Sequence, residues 1–130
     1  MATFVVNLGP GIITNRMSAL GTEPLNIGWG TGAGTAAKAD STLFTEALVT
    51  LLGGGTDHTA GTASRVTTTN TNDTYQVAGT RTATGAGTVT NAGLFDAASG
   101  GTLFLKGDFV GIGLAIGDSI AFTIKCQFVN

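Results

Sequence analysis

The sequence predicts an all-β domain with at most one short helix, on the grounds of its composition and of the alternation near its C-terminus. Glycine and threonine account for 21 and 23 of the 130 residues, whereas strong helix formers such as lysine and glutamate are few. Threonine favours strands, and glycine marks turns and bulges. Seven phenylalanines, one tryptophan and many aliphatic residues supply enough apolar surface for a folded core.

The clearest strands are expected near the C-terminus. In 119–130, apolar and polar residues alternate with a period of two, which is typical of a half-buried strand. In the preceding run, 110–116, bulky residues alternate with small ones such as Gly111 and Gly113. One face of that strand is therefore nearly bare backbone, which another layer can approach closely. Gly117–Asp118 predicts a turn between the two runs, and hence an antiparallel hairpin.

Further strands and one helix are expected upstream. Three strands are predicted at 3–8, 25–29 and 102–106. Two or three weakly apolar strands are predicted between 65 and 89, joined at 70–73 and at 85–87. The helical candidate is 40–52, because Asp40 can cap a helix and apolar residues follow at helical spacing. These residues are Leu43, Phe44, Ala47, Leu48 and Leu51.

Length and charge limit the organisation of the chain and its partners. A chain of 130 residues can bury a core as one domain, 1–130, without a disulfide or a structural metal. The six lysines and arginines are scattered, and the formal net charge is -2. Nucleic acid and anionic membranes are therefore not expected as partners, because both are bound by clustered basic residues. The start lacks a secretory signal, so we expect a protein made in the cytosol and not exported.

Few groups could carry chemistry, and each has a simpler structural explanation. The glycine-rich tract 28–34 lacks the lysine of a phosphate-binding loop, so a turn is expected there. His58, beside Asp57, is expected to be a solvated loop residue rather than a base. Cys126 is expected to be a buried, unreactive thiol on the last strand. Four aspartates lack calcium-loop spacing and are expected to form turns: Asp73, Asp96, Asp108 and Asp118. We predict no enzyme activity, catalytic residue, cofactor or metal.

Six residues are the candidates for contact with another protein: Phe4, Val5, Val6, Trp29, Gly111 and Gly113. The tryptophan, which lies between glycines, is expected to be a core or interface anchor rather than a sugar-stacking residue. The two glycines supply the bare strand face. The first three lie in segment 1–8, which is either an arm that adds a strand to a neighbour or an edge strand of its own sheet.

Two segments carry an unusual order of short motifs. The first is 26–32 (NIGWGTG), followed by 39–43 (ADSTL). The second is 91–97 (NAGLFDA), followed by 100–103 (GGTL) and 117–120 (GDSI). In order and spacing these motifs resemble a family of small virion proteins of tailed bacteriophages, which includes head-decoration and tail-associated proteins. Asn91 and Lys106 stand where members of the family often carry an acidic residue and an arginine.

The resemblance implies a β-sandwich or jelly-roll-like fold, no enzymatic activity and assembly on a phage particle. We expect a capsid decoration (cement) protein, located in the virion, that binds the major capsid protein or another virion protein as a homotrimer. A tail, connector or fibre-base structural protein is the alternative. A carbohydrate-binding receptor module is the third interpretation, and it requires a cluster of exposed aromatic residues, although aromatic residues make up only 7% of the chain.

Overall fold

The computed structural model describes residues 2–48, 50–51 and 55–129, and within them the chain forms nine strands and one short helix. All strand pairs are antiparallel. This confirms the predicted all-β class. In chain order the elements are β1 (Ala2–Val5), α1 (Gly9–Met17), β2 (Asn26–Gly30), β3 (Glu46–Ala47), β4 (Thr59–Ala60), β5 (Thr62–Val66), β6 (Thr74–Thr82), β7 (Gly87–Phe95), β8 (Leu103–Leu114) and β9 (Ser119–Gln127).

The strands form two sheets that pack on each other as a sandwich. The large sheet has the order β1-β8-β7-β2-β3, and β4 also pairs with β2. The small sheet has the order β5-β6-β9. Between the sheets, Ile27, Leu94 and Leu105 of the large sheet form a core with Val77 and Cys126 of the small sheet. Alternation along each strand thus directs one apolar row into this core.

The predicted hairpin at Gly117–Asp118 is wrong, because its two strands belong to different sheets. β8 pairs with β1 and β7, whereas β9 pairs with β6. The turn, in which Gly117 has a φ of 89°, carries the chain from the large sheet to the small one. The backbone N–H of Ala83 donates to the Asp118 carbonyl at 2.7 Å, which ties this crossing to the crossing between β6 and β7. The alternation indicated which side chains face inward, but not which strands pair.

The predicted helix at 40–52 is also wrong. Its first residues cross the outer face of the large sheet without regular structure, and β3 follows them. Leu43 is buried there against Phe95 and Leu103. Contact with the sheet therefore accounts for the apolar residues that suggested a helix, and the last residue of the predicted helix, Leu52, lies outside the described residues.

The observed helix, α1, follows the first strand. Pro10 lies in its first turn, where the fixed φ of proline suits a helix and no backbone N–H is needed. Segment 1–8 is predicted to be either an arm or an edge strand. It contains an edge strand, because Ala2–Val5 pairs with β8 in the large sheet. That strand ends before the predicted boundary at residue 8.

No helix among the described residues is long and apolar enough to cross a bilayer.

The middle of the chain forms three strands close to the predicted positions. β5 begins at Thr62, before the predicted limit of 65, and the joints before and after β6 lie at 67–73 and 83–86 rather than at 70–73 and 85–87. The predicted strands at 102–106 and 110–116 are one strand, β8, which ends at Leu114. The Asp73 carboxylate closes the first joint by accepting hydrogen bonds from the backbone N–H groups of Thr68, Thr69 and Asn70 at 2.9–3.0 Å.

The Asp73 bonds predict a specific loss of stability in acid. The backbone donors, that of Asn70 first, hold the pKa of Asp73 well below its ordinary value. A depressed carboxyl pKa stabilises the fold above the unfolded-state value of about 4, and this contribution is lost as the pH falls through the folded value. Asp73→Asn should therefore lower the melting temperature at pH 7, and its difference from the parent should narrow below about pH 4.

Thermal unfolding followed by circular dichroism across the acid range measures this difference. Asn70→Ser is the control, because it changes the same loop and leaves the carboxylate and its backbone donors in place. A difference between Asp73→Asn and the parent that stays constant down to pH 2 contradicts the assignment.

Candidate functional site

Arg81 joins the two sheets from inside the core. Its side chain lies on β6 and is 1% exposed. The guanidinium donates through Nη1 to the carbonyl of Ile27 on β2, and through Nη1 and Nη2 to the carbonyl of Asp57 at 3.1 Å. Its Cζ lies 4.8 Å from the centroid of the Trp29 ring, a cation–π distance. Burial lowers the pKa of Arg81 to about 10, and the charges of Glu46 and Asp57 oppose that shift.

His58 is buried beside this arginine, and the prediction of a solvated loop histidine is wrong. Its Nε2 lies 2.5 Å from Oε1 of Glu46, and its Nδ1 lies 2.7 Å from the carbonyl oxygen of Ala97. The ring stacks on Phe95 with centroids 3.9 Å apart. These partners come from β3, from the end of β7 and from the segment after it, so no local sequence pattern could have indicated the burial.

The surroundings of His58 suit a structural role better than acid–base catalysis. Both ring nitrogens are engaged by oxygen atoms, and the side chain is fully buried. A general base needs a nitrogen that can reach the proton of a substrate. The Nη groups of Arg81 likewise donate hydrogen bonds to backbone carbonyls. Among the described residues, its Nε has no hydrogen-bond partner. This cluster connects β2, β3, β6 and the segment around Asp57.

A second polar cluster holds residues 31–45, here called the cover loop, against the outer face of the large sheet. Asn91 is fully buried, and its side chain accepts a hydrogen bond from the backbone N–H of Phe44 and donates one to the Phe44 carbonyl, both at 3.0 Å. Asp108, predicted to form a turn, lies inside β8 and accepts a hydrogen bond from the backbone N–H of Ala36 at 2.8 Å. The side chains of Asn91 and Asp108 thus form hydrogen bonds with the backbone of the cover loop, as a neighbouring strand would.

Lys106 completes this cluster. It is 1% exposed, and its Nζ donates to Oδ2 of Asp40 at 2.9 Å and to the carbonyl of Thr42 at 2.8 Å. The same nitrogen lies 3.2 Å from the centroid of the Phe44 ring. Hydrogen bonds from the backbone of Ala37 and from Lys106 hold the pKa of Asp40 below its ordinary value. The lysine is thus a tether for the cover loop.

The glycines of the 28–34 tract provide room for the cover loop. A Cβ at Gly28 would lie 2.8 Å from the ring of Phe95, and one at Gly30 would collide with the carbonyl oxygen of Phe44. Gly93 on β7 is similarly restricted, because a Cβ there would lie 2.6 Å from the Leu105 carbonyl oxygen. The tract is therefore half strand and half loop, and its glycines allow close packing rather than anion binding.

The six predicted contact residues do not form one surface. Trp29 and Val6 are fully buried, so both are core residues. Phe4 and Val5 are half-buried in the edge strand β1. Gly111 and Gly113 are exposed on β8, and the space next to Gly113 is open. Of the predicted residues, the two glycines are thus the best placed to meet a neighbouring protein.

The structure contains an apolar groove that the sequence did not predict. It has a volume of about 370 Å³ and lies between α1, Tyr75 of β6 and Phe128 after β9. The Tyr75 hydroxyl donates to the carbonyl of Pro24 at 3.2 Å, and burial raises the pKa of Tyr75. Exposed Met17 and Val129 lie on two of the segments that border the groove. The groove could not be predicted, because its walls are distant in the sequence.

The remaining candidates add no reactive centre within the described residues. Cys126 is buried, as predicted, and burial raises the pKa of its thiol. In the described part of the chain, no group of three or more histidine, cysteine, aspartate or glutamate side chains is placed to hold a metal ion. Comparison with models of protein families, with curated proteins and with solved structures found no match.

Removing the Arg81 side chain should destabilise the fold strongly. Arg81→Ala leaves the buried carbonyl of Ile27 and the partly buried carbonyl of Asp57 without the guanidinium donors, and a buried group left unpaired costs about 1–3 kcal/mol. We expect a total loss of about 2–4 kcal/mol in the free energy of unfolding, measured with urea.

Arg65→Ala is the matched control, because Arg65 is an exposed arginine on the neighbouring strand β5. It should change stability by no more than about 0.5 kcal/mol. Equal urea midpoints for the two variants would show that the Arg81 bonds do not join the sheets.

Proposed function

We propose that this chain is a structural protein of a tailed-bacteriophage virion, where it decorates the head surface as a cement protein. Its partners are the major capsid protein, or another virion protein, and further copies of itself in a homotrimer. The protein works by contact and carries out no reaction.

The observation that carries this proposal is the distribution of polar and apolar side chains. The buried polar groups that could have served chemistry, Arg81, His58, Asn91 and Lys106, are used to connect strands and loops. Large apolar side chains meanwhile stand exposed, with Val110 91% and Ile116 75% accessible. Exposed apolar residues near open strands favour a protein that binds other proteins.

The arrangement of the resemblance motifs also supports the proposal. Asn26–Gly30 of the first motif pairs directly with 91–95 of the second. Asp40 in the ADSTL segment is bound by Lys106 on the adjoining strand. All of the motifs except 117–120, which forms the turn and the start of β9, therefore converge on the large sheet with its cover loop, so they behave as a signature of a scaffold. Structural proteins that resemble one another in sequence share such a scaffold.

The proposal predicts binding to virus particles with little salt dependence. The purified protein should co-sediment with heads of the phage that encodes it, and its affinity should change less than about tenfold between roughly 50 and 500 mM NaCl. The physical reason is that 11% charged residues leave few ion pairs to screen.

Isolated tails of the same phage and heads of an unrelated phage are the controls. Binding to tails alone would replace head decoration by the tail placement. Binding to neither particle would contradict the virion function.

Assembly as a trimer should depend on the bare face at Gly113. A side chain at this position meets nothing within 4 Å in the monomer, so Gly113→Val should leave the melting temperature unchanged or slightly higher. It should nevertheless prevent the close approach of another subunit and shift the mass measured by light scattering from trimer to monomer.

Gly11→Ala is the matched control, since Gly11 also has open space around it but lies on α1. A Gly113→Val protein that remains trimeric, or a parent protein that is monomeric on the particle, would contradict this face as the contact.

A further inference from the structure

The small sheet is narrower than the large sheet that it covers. β6 lies over β2, where the Arg81 guanidinium reaches the Ile27 carbonyl. β9 lies over the next strands of the large sheet, because Phe122 packs with Ala92 of β7 and Phe109 of β8 in one cluster. β1 is the outermost strand beyond β8. In the described part of the chain, no strand of the small sheet lies opposite β1.

β9 is a long, regular edge strand with a single charged residue. It pairs with β6 over nine residues, from Ser119 to Gln127, with no bulge. It contains no proline, and its single charge, Lys125, is exposed. Natural edge strands are generally kept short, bulged or charged on the inward face, because a long regular edge recruits another strand. Within the described residues, the other side of β9 is unpaired.

The inward side chains of β9 are also incompletely covered. Ile120, Phe122 and Ile124 are only half-buried, although they point toward the large sheet. A gap of about 150 Å³ opens beside Phe122 and Ile124, and its opposite wall includes Thr3 of β1 and Leu105 of β8. The unpaired edge and the apolar gap therefore lie at the same border of the sandwich.

We propose that the free edge of β9 binds an extended segment of a different protein chain, which becomes the fourth strand of the small sheet. Backbone groups of that segment pair with β9, and its alternate apolar side chains enter the gap opposite β1. Lys125 has no ion-pair partner among the described residues, so the segment carries a carboxylate at the position facing this lysine. The ligand is thus an extended, alternately apolar peptide with one acidic residue.

A second copy of this chain fits the edge poorly. Pairing β9 with its own symmetry mate would place the mate's large sheet beside that of the first copy. Each β1 projects beyond β9, so the two β1 strands would compete for the same space. A single strand contributed by another protein avoids this collision. The proposed strand binding does not depend on the virion function, because it rests on the free edge of β9 and not on which protein supplies the strand.

Amide hydrogen exchange of the full chain, followed by NMR, tests the proposal. In the free protein, amides of β9 should alternate between slow exchange, where they face β6, and fast exchange, where they face the open edge. The probe is a blocked synthetic peptide of the same length as β9, in which valine alternates with threonine and one glutamate faces Lys125. With the peptide at roughly ten times its Kd, the fast amides should slow about tenfold, because only the free fraction exchanges.

Variants distinguish edge pairing from nonspecific adsorption. Lys125→Glu should weaken peptide binding, and a peptide with lysine in place of its glutamate should restore it. Lys38→Glu, at an exposed lysine of the cover loop, is the matched control and should bind like the parent. Ala121→Pro should abolish binding without breaking the bonds to β6, because Phe128 and Asp118 make their backbone bonds on the β6 side, which leaves the odd-numbered amides between them on the open edge.

Slowed exchange confined to the outward amides of β9, together with loss of binding in the proline variant, supports the proposal. Unchanged exchange up to about 1 mM peptide overturns it, since affinity weaker than that is negligible for a specific strand. Outward amides that are already slow without peptide, and become slower as protein concentration rises, also overturn it by showing that a second copy fills the edge.

Discussion

The central constraint on this fold is that the middle of the large sheet is buried on both faces. All five residues of β2 are buried, as are 91–95 of β7. Antiparallel sheets commonly leave one face to water, so a second cover is needed here. The small sheet covers the inner face with apolar side chains, and the cover loop covers the outer face. An irregular loop offers no ladder of backbone bonds, and the side chains of Asn91, Lys106 and Asp108 supply those bonds instead.

This arrangement explains why a chain with few charges buries several of them. Lys106 and Arg81 are both nearly inaccessible, and each donates to backbone carbonyls of a segment distant in sequence. Buried donors of this kind contribute less to net stability than to selecting one arrangement, because any other packing leaves them unsatisfied. Asn91 and Lys106 lie in the same cluster under the cover loop. Their positions are therefore sites where the sheet and its cover must match each other.

The sequence was informative where structure is local and uninformative where it depends on distant partners. Period-two alternation located β8 and β9, and glycine or aspartate marked the turns at 67–73 and 117. The pairing of β8 and β9 in different sheets was not predictable, because alternation carries no information about strand neighbours. The apolar spacing in 40–52 imitated a helix, although Leu43 and its neighbours pack on glycine backbone. The burial of His58 likewise depends on Glu46 and Ala97, which a single-sequence pattern cannot bring together.

The same division separates the scaffold of the protein from its contact surface. The glycines and polar residues of the motifs at 26–32 and 91–97 are required by the covered sheet, so they bear on the fold and not on a ligand. The surfaces left for binding are the bare strand face at Gly113, the groove beside α1 and the open edge of β9, and these lie outside the cover loop. Exposed strand residues can change without disturbing the inner core or the polar clusters. A covered central sheet with adaptable borders can therefore keep its structure while its exposed strand residues change, as the proposed contact function requires.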